Sequence, residues 1–246
     1  MEQIFRKTYQ LETIHLDRFG RLKPSVMLYF AQEAATGHCD VLGLDYGRMQ
    51  EKGLFWAIVR TRLQVERMPA EGETLTVETW PMPTTRSAFP RATVAYDRQG
   101  LPVFRCVSLW VLMDIDSRKM VLPANSGIFL EGVVQGGELM APGSILPKEG
   151  ENVFVRIAGY TELDRNGHVN NTRYIDWAND LPGSDFHREH PLKELTVCYH
   201  NEVYQNDEIA LSWQIADGPV LTVDAHRLRT DDRDAKQRVF SLQMKF

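Results

Sequence analysis

Cysteine is scarce in this chain, which argues against two kinds of stabilising site. The 246 residues include only three cysteines, Cys39, Cys106 and Cys198, and no two of them form a CxxC pair. Thiols so few and so widely spaced provide neither a disulfide framework nor a zinc site. Because reduced thiols are typical of a reducing compartment, we expect a cytoplasmic protein.

Long hydrophobic runs and a surplus of positive charge are also absent. The longest uncharged apolar stretch, around residues 106–113, is far shorter than the roughly 20 residues that a membrane-spanning helix needs. The first residues, MEQIFRK, lack the apolar segment of a signal peptide. The formal net charge of −5 argues against a general nucleic-acid-binding protein. We therefore expect a soluble protein, in which any acidic partner docks on a local basic patch.

The sequence also shows no recognisable cofactor site. No metal ligands occur at credible spacing, and no glycine-rich phosphate-binding loop is present, so no cofactor is implied. The composition, with 43% hydrophobic and 25% charged residues, is that of an ordinary globular protein with a sizeable core.

The chain contains a diverged internal repeat. Residues 16–33 (LDRFGRLKPSVMLYFAQE) align with residues 163–180 (LDRNGHVNNTRYIDWAND), with leucine, aspartate, arginine, glycine and alanine in common. A second match places Gly72 over Asn206, each in a turn between strand-like segments. The two halves of the chain are therefore interpreted as duplicated units.

Each copy has the pattern of one helix followed by several β-strands. Residues 26–30 are apolar on nearly all sides, which predicts a buried helix. In the second copy one helical face is apolar, with Tyr174, Trp177, Ala178 and Leu181, and Pro182-Gly183 ends it. The predicted strands are 74–80, 92–96, 103–113, 195–199, 209–215, 221–225 and 239–244. This pattern predicts an α+β fold, with a helix wrapped by an antiparallel sheet in each half.

The boundary between the two copies is predicted from composition. Residues 132–150 are rich in glycine and proline and form the natural linker. We therefore assign residues 1–131 to an N-terminal unit and residues 151–246 to a C-terminal unit.

The duplication provides an internal control, because positions that differ between the copies are candidates for chemistry. The second copy has a distinctive polar run at its helix start, formed by Asn166, His168, Asn170 and Asn171. Histidine transfers protons near neutral pH, and an asparagine amide orients water or donates to an oxyanion. The N–H groups of the helix start add a positive dipole end. The alternative is that Asn170 or Asn171 caps the helix and His168 is a turn residue.

A second divergent position is Glu202, which matches Met68 of the first copy. It lies in a predicted strand that otherwise reads Val197, Tyr199 and Val203, where burial would raise the pKa of the carboxyl and make it a stronger base. The alternative is a solvated carboxylate near a strand end. Its presence in the same copy as His168 favours a role as general base.

Residues 164–174, DRNGHVNNTRY, resemble the DxNxHVNNxxY motif of the fatty acyl-ACP thioesterases of plants and bacteria. Residues 55–60 (FWAIVR) and 108–113 (SLWVLM) are also similar to the first half of that family. The resemblance covers nearly the whole chain. It implies a double, or tandem, hotdog fold and the release of fatty acids from acyl carrier protein.

The resemblance also implies the site. In that family the residues at the positions of Asp164, Asn166 and His168 are implicated in catalysis, as is a glutamate placed similarly to Glu202. The plant pattern has a cysteine where this chain has Val203, and valine excludes a covalent acyl-enzyme through that residue. We therefore expect direct attack by water, with either Glu202 or His168 as the base.

Substrate contacts follow from the same resemblance. The predicted substrate-binding residues are Asn170 and Asn171 and, lining an acyl tunnel from the first-copy helix, Met27, Leu28, Phe30 and Ala31. An acidic carrier protein needs a basic docking patch, for which two groups are candidates: Arg18, Arg21 and Lys23 in the first-copy loop, or Arg86 and Arg91 in a predicted turn. The alternative for the four apolar helix residues is ordinary core packing. The alternative for both basic groups is ordinary solvated surface charge.

Two other functions stay open. Hotdog folds also host acyl-CoA thioesterases, and a non-catalytic acyl-binding module on the same duplication is a third interpretation. Chain-length preference and the pairing of two chains into a homodimer do not follow from the sequence.

Overall fold

The computed structural model describes residues 3–135, 141–146, 150–228 and 237–246. The chain divides into two compact units, Met1–Pro142 and Gly143–Phe246. The division falls inside the proposed linker 132–150, part of which lies outside the described residues, so the assigned domain bounds stay predictions. Among the described residues, no helix is long and apolar enough to cross a membrane.

The first unit is an antiparallel sheet with helices. Its elements are β1 (Phe5–Gln10), α1 (Pro24–Leu42), α2 (Tyr46–Glu51), β2 (Leu54–Val65), β3 (Thr74–Pro81), β4 (Phe89–Tyr96), β5 (Pro102–Asp114) and β6 (Met120–Val121). The strands pair in the spatial order β1-β3-β4-β5-β2, and the short β6 pairs with the C-terminal end of β5. Helix α1 packs mainly against β3.

Helix α1 is longer than its apolar core. Pro24 starts it, since the fixed φ of proline suits the first helical position. Gly43 ends it with a φ of 71°, a left-handed conformation that favours glycine. The helix predicted over residues 26–30 is confirmed. It continues to Leu42 through a segment of mixed polar and apolar residues. Its buried residues are Ser25, Met27, Leu28, Phe30, Ala31, Ala34, Ala35 and His38.

The second unit repeats the architecture with shorter helices. Its elements are β7 (Asn152–Ile157), α3 (Arg173–Asn179), α4 (Ser184–Glu189), β8 (Glu194–Tyr199), β9 (Glu208–Ala216), β10 (Val220–Leu228) and β11 (Gln237–Lys245). The strands pair in the order β7-β9-β10-β11-β8, which is the order of the first unit. The predicted face of α3 is buried at Tyr174, Trp177 and Ala178, whereas Leu181 lies beyond the end of the helix.

Matching backbone hydrogen bonds confirm the alignment of the two copies. In the first unit the Leu11 N–H donates to the Glu73 carbonyl, and the Leu11 carbonyl accepts the Gly72 N–H. In the second unit the Ala158 N–H donates to the Asp207 carbonyl, and the Ala158 carbonyl accepts the Asn206 N–H. Each predicted strand lies within an observed one. Strands β1, β2, β6 and β7 were not predicted. Strands β1 and β7 are sheet edges where half or more of the residues face solvent, and most residues of β2 are only half-buried.

Candidate active site

The polar motif of the second unit forms a tight turn. Leu163 and Val169 form an isolated β-bridge across its base. The Asp164 N–H donates to the His168 carbonyl at 2.8 Å, and the Gly167 N–H donates to the Asp164 carbonyl at 3.0 Å. Gly167 has a φ of 79°, where a side chain would be strained. The turn therefore fixes the backbone of His168.

The first unit contains the same turn without the histidine and the asparagine. There the bridge joins Leu16 and Leu22, and the Asp17 N–H donates to the Arg21 carbonyl at 2.8 Å. Gly20 has a φ of 72°. Aspartate and glycine are thus required by the turn itself, whereas histidine is particular to the second unit.

Asp164 and Asn166 have different surroundings within the turn. Asp164 Oδ1 accepts the Asn166 N–H at 2.8 Å, just as Asp17 Oδ1 accepts the Phe19 N–H at 2.8 Å. Asp164 is therefore held as a turn residue. The Asn166 side chain is exposed, two residues before His168, and makes no side-chain hydrogen bond within the part of the chain that the structure describes.

His168 and Glu202 lie together although they are distant in sequence. His168 Nε2 lies 3.4 Å from Glu202 Oε2. The Val169 N–H donates to the Val203 carbonyl at 2.8 Å and joins the two segments next to this pair. The His168 side chain is 16% exposed, so part of it is accessible to solvent. A histidine and a carboxylate in contact at an accessible position are suited to proton transfer.

One expectation about Glu202 is wrong. Strand β8 ends at Tyr199, so Glu202 lies in the loop before β9 and not within an apolar strand. Its side chain is 37% exposed, and the burial expected for it is not found. Its position near His168, not desolvation, is what distinguishes it.

Two residues that were not predicted complete the contacts around the pair. The Tyr204 hydroxyl donates to Glu202 Oε2 at 3.1 Å, and the Tyr204 ring packs edge-on against His168 with centroids 4.8 Å apart. Arg227 Nη2 donates to the Glu202 carbonyl, and Arg227 Nε lies 2.9 Å from Asp207 Oδ2. The repeat aligns Tyr204 with Ala70, so the same comparison of copies that singled out Glu202 would have found it.

The start of α3 is organised by Asn170. Its Oδ1 accepts the Thr172 N–H at 3.0 Å and the Thr172 hydroxyl at 2.7 Å, and its carbonyl accepts the Arg173 N–H at 2.9 Å. The Asn171 carbonyl accepts from the Tyr199 hydroxyl at 3.3 Å. These bonds fit the helix-start interpretation of Asn170 and occupy the first amides. Contact of Asn170 and Asn171 with substrate stays a prediction.

Glu162 anchors the turn to α3. Its Oε1 accepts from Trp177 Nε1 at 2.7 Å and lies 2.5 Å from Arg156 Nη2, while its Oε2 accepts the Gly159 N–H at 2.8 Å. Its carbonyl also accepts the Asn170 N–H at 2.9 Å. This carboxylate therefore joins the beginning of the motif to the buried face of the helix.

Two family models match the chain. The acyl-ACP thioesterase N-terminal domain matches residues 2–124, and the acyl-ACP thioesterase C-terminal domain matches residues 149–241. The chain belongs to the acyl-ACP thioesterase family.

Relatives in sequence are plant members of this family. The chain is 26% identical over 214 residues to dodecanoyl-[acyl-carrier-protein] hydrolase of Cinnamomum camphora, covering 81% of this chain and 56% of that protein. It is 24% identical over 214 residues to palmitoyl-acyl carrier protein thioesterase of Gossypium hirsutum, covering 81% and 52%. The chain thus spans about half the length of the curated relatives it matches.

Solved structures show the fold. An acyl-ACP thioesterase of Bacteroides thetaiotaomicron matches with a TM-score of 0.89 at 22% identity, covering 99% of this chain and 98% of that one. The 12:0-ACP thioesterase of Umbellularia californica matches with a TM-score of 0.83 at 20% identity, covering 100% and 97%. The α+β, double hotdog fold predicted from the sequence is confirmed.

The acyl-tunnel candidates of this family member are buried in its first unit. Met27, Leu28, Phe30 and Ala31 are each at most 8% exposed. The Phe30 ring stacks on Tyr9 with centroids 4.1 Å apart. Such burial is expected both of core residues and of residues that line an apolar tunnel, so the tunnel stays a prediction.

One of the two predicted basic patches is wrong. Arg91 lies within β4 and is 5% exposed, with Nη1 3.1 Å from His38 Nδ1 and 3.3 Å from Thr79 Oγ1. Burial lowers the pKa of this guanidinium, because the charged form is desolvated. Only Arg86 of that pair is on the surface. A turn was expected at Arg91, but apolar neighbours continue the strand.

The other patch has its arginines together. Arg18 and Arg21 each lie 5.5 Å from the Phe19 ring centroid, and the Lys23 ammonium donates to the Ile14 carbonyl at 3.0 Å. The Phe19 ring thus holds two cations of the first unit near one another.

Proposed function

We propose that this chain hydrolyses the thioester of fatty acyl-acyl carrier protein, releasing a free fatty acid and the carrier protein. The observation that supports it best is the contact of His168 with Glu202, at 3.4 Å between Nε2 and Oε2. His168 lies on a turn that the chain contains twice. The matching positions of the first copy are Arg21 and Met68, which transfer no proton at neutral pH. Membership of a thioesterase family supports the reaction type.

The proposed reaction is direct attack by water. A base removes a proton from water as the water oxygen attacks the thioester carbon and forms a tetrahedral intermediate. The C–S bond then breaks, and the proton passes to the departing thiolate, so the base is restored. Val203 is fully buried and carries no nucleophile, which accords with a route without a covalent intermediate at that position.

His168 and Glu202 share the proton transfer in this proposal. Either one is the base, and the other orients it and balances its charge. Asn166 is proposed to position water or the thioester carbonyl, because its amide is exposed near His168. Asp164 contributes through the turn, as the same bond of Asp17 indicates.

Two groups of residues of the first unit are proposed to bind parts of the substrate. The α1 residues Met27, Leu28, Phe30 and Ala31 are proposed to line the acyl chain's path. Arg18, Arg21 and Lys23 are proposed to dock the acidic carrier protein. Since surface charge interactions are screened by salt, turnover on acyl carrier protein should fall with ionic strength more than turnover on small thioesters. Cytoplasmic location stays a prediction, and the pairing of two chains into a homodimer stays open.

The second candidate function is hydrolysis of acyl-CoA at the same site, which the same geometry supports equally. A non-catalytic acyl-binding module is less well supported, since binding alone needs neither His168 nor Glu202.

The test is thiol release from acyl-ACPs of several chain lengths and from the matched acyl-CoAs, with wild type and His168→Ala. Selective hydrolysis of acyl-ACP, abolished in His168→Ala, is the expected result. Preference for acyl-CoA would change the substrate and keep the site. Absence of hydrolysis on both substrates would contradict the proposal and favour the binding module.

A further inference from the structure

Tyr204 contacts both members of the proposed proton-transfer pair. Its hydroxyl donates to Glu202 Oε2 at 3.1 Å, the same oxygen that lies 3.4 Å from His168 Nε2. Its ring meets the His168 ring edge-on, at 4.8 Å and an interplanar angle of 87°. Such T-shaped contacts are favourable and limit rotation of both rings. One side chain thus restrains the carboxylate and the imidazole together.

The first copy shows that the backbone turn does not need this tyrosine. Its counterpart is Ala70, whose N–H donates to Glu73 Oε1 at 2.5 Å. The Tyr204 N–H donates in the same way to Asp207 Oδ2 at 2.8 Å. The carboxylate of Glu73 or Asp207 therefore stabilises this turn in each copy, and the aromatic side chain of Tyr204 is particular to the second copy.

The additions of the second copy contact one another. His168, Glu202 and Tyr204 replace Arg21, Met68 and Ala70 at the matched positions. Residues that changed independently for surface reasons would not be expected to form a mutually bonded group.

Arg227 contacts the loop that carries Glu202 and Tyr204. Its Nε lies 2.9 Å from Asp207 Oδ2, and its guanidinium lies 5.6 Å from the centroid of the Tyr204 ring. Its Nη2 donates to the Glu202 carbonyl. In the first copy the corresponding acid, Glu73, is paired instead with Arg67. The arginine of the second copy thus comes from β10, and its bonds hold the loop of Glu202 and Tyr204.

We propose that Tyr204 is a positioning residue that holds the Glu202 carboxylate against His168. The Glu202 side chain is 37% exposed and has several rotatable bonds, so its 3.4 Å contact with His168 would by itself restrain it weakly. The Tyr204 hydroxyl adds a second restraint on the same oxygen. Small misplacements of a catalytic group lower turnover strongly, so this restraint acts on rate. The inference rests on the proposed hydrolysis.

The test compares Tyr204→Phe with Tyr160→Phe on the preferred thioester. Tyr204→Phe keeps the ring contact with His168 and removes only the hydroxyl. We expect kcat to fall about tenfold with KM nearly unchanged, as for the loss of one hydrogen bond to a charged group. Tyr160 is 76% exposed and lies in the same unit, so Tyr160→Phe should match wild type.

A second arm separates positioning from general damage. In a Glu202→Gln background, Tyr204→Phe should lower kcat by less than twofold, because the carboxylate that it positions is already gone. A structural role of the tyrosine would give the same tenfold loss in both backgrounds. Thermal melts of each variant show whether the fold is intact.

The outcomes keep this inference separate from the proposed function. Wild-type kcat in Tyr204→Phe would overturn the positioning role and leave the hydrolysis standing. If wild type hydrolyses no thioester, the proposed function fails, and crystal structures of wild type and Tyr204→Phe decide the inference. The Glu202 carboxylate should then rotate away from His168 in the variant; an unchanged contact would overturn the role.

Discussion

The anchor between the motif turn and α3 can be tested with two tryptophans of the same chain. Trp177 is 2% exposed, and its Nε1 donates to Glu162 Oε1 at 2.7 Å. Trp80 is fully buried, and its Nε1 has no hydrogen-bond partner among the described residues. The changes Trp177→Phe and Trp80→Phe remove the same atoms from equally buried rings. Their difference therefore reports on the Glu162 hydrogen bond.

The expected difference follows from the two environments. Trp177→Phe loses a hydrogen bond to a charged group, worth about 1.5–3 kcal/mol. Trp80→Phe removes a buried unsatisfied donor, which costs the wild type about 1–3 kcal/mol. Trp177→Phe also weakens the stacking of Arg156, whose guanidinium lies 4.1 Å from the Trp177 ring. It should therefore be less stable than Trp80→Phe by at least about 2.5 kcal/mol. For a chain of this length that difference corresponds to at least roughly 5 °C in Tm.

The measurement is a thermal melt of both variants and wild type, followed by near-UV circular dichroism and by calorimetry. Agreement of the two methods checks that each melting transition is cooperative. A Tm of Trp177→Phe equal to or above that of Trp80→Phe would refute the reasoning, since the Glu162 bond would then contribute nothing.

Two further predictions concern the duplicated turn and an acid-sensitive contact of the first unit. Gly20→Ala and Gly167→Ala should each lower the free energy of unfolding by about 1–2 kcal/mol, because both positions have positive φ and open space for a Cβ. Only Gly167→Ala should lower kcat; equal activity losses in thiol release would contradict the assignment of chemistry to the second unit. Hydrogen bonds from Arg67 lower the pKa of Glu73 and of Asp97, so their stabilisation is present above the unfolded values near about pH 4 and is lost as pH falls below them. Arg67→Gln should flatten this acid-side loss in urea titrations between about pH 3 and 7, and an unchanged slope would count against it.

Much of the fold was predictable because the two copies within the chain can be compared with each other. Placing Leu16 over Leu163 and Gly72 over Asn206 located both turns, and matching hydrogen bonds confirm that alignment. Apolar runs predicted β3, β4, β5 and the strands from β8 to β11, whereas β2 was missed because most of its residues are only half-buried and two arginines interrupt its apolar run. The edge strands β1 and β7 left no such signal, because exposed positions tolerate any residue.

The site was only partly predictable. The histidine and the glutamate were found from divergence between copies, and their contact at 3.4 Å is a tertiary feature that no spacing contains. Burial of Glu202 was expected from strand-like neighbours, but β8 ends earlier and leaves it in a loop. Arg227 lies on β10, and its contact with the Glu202 loop is likewise a tertiary feature that the sequence spacing does not contain.

The most direct test of the central claim is a double-mutant cycle on kcat for acyl-ACP hydrolysis with His168→Ala, Glu202→Gln and the double variant. If the two side chains act as one proton-transfer unit, each single change should lower kcat by at least about a hundredfold, and the double variant should be little slower than either. Independent, multiplicative losses, or near-wild-type turnover in either single variant, would contradict the account.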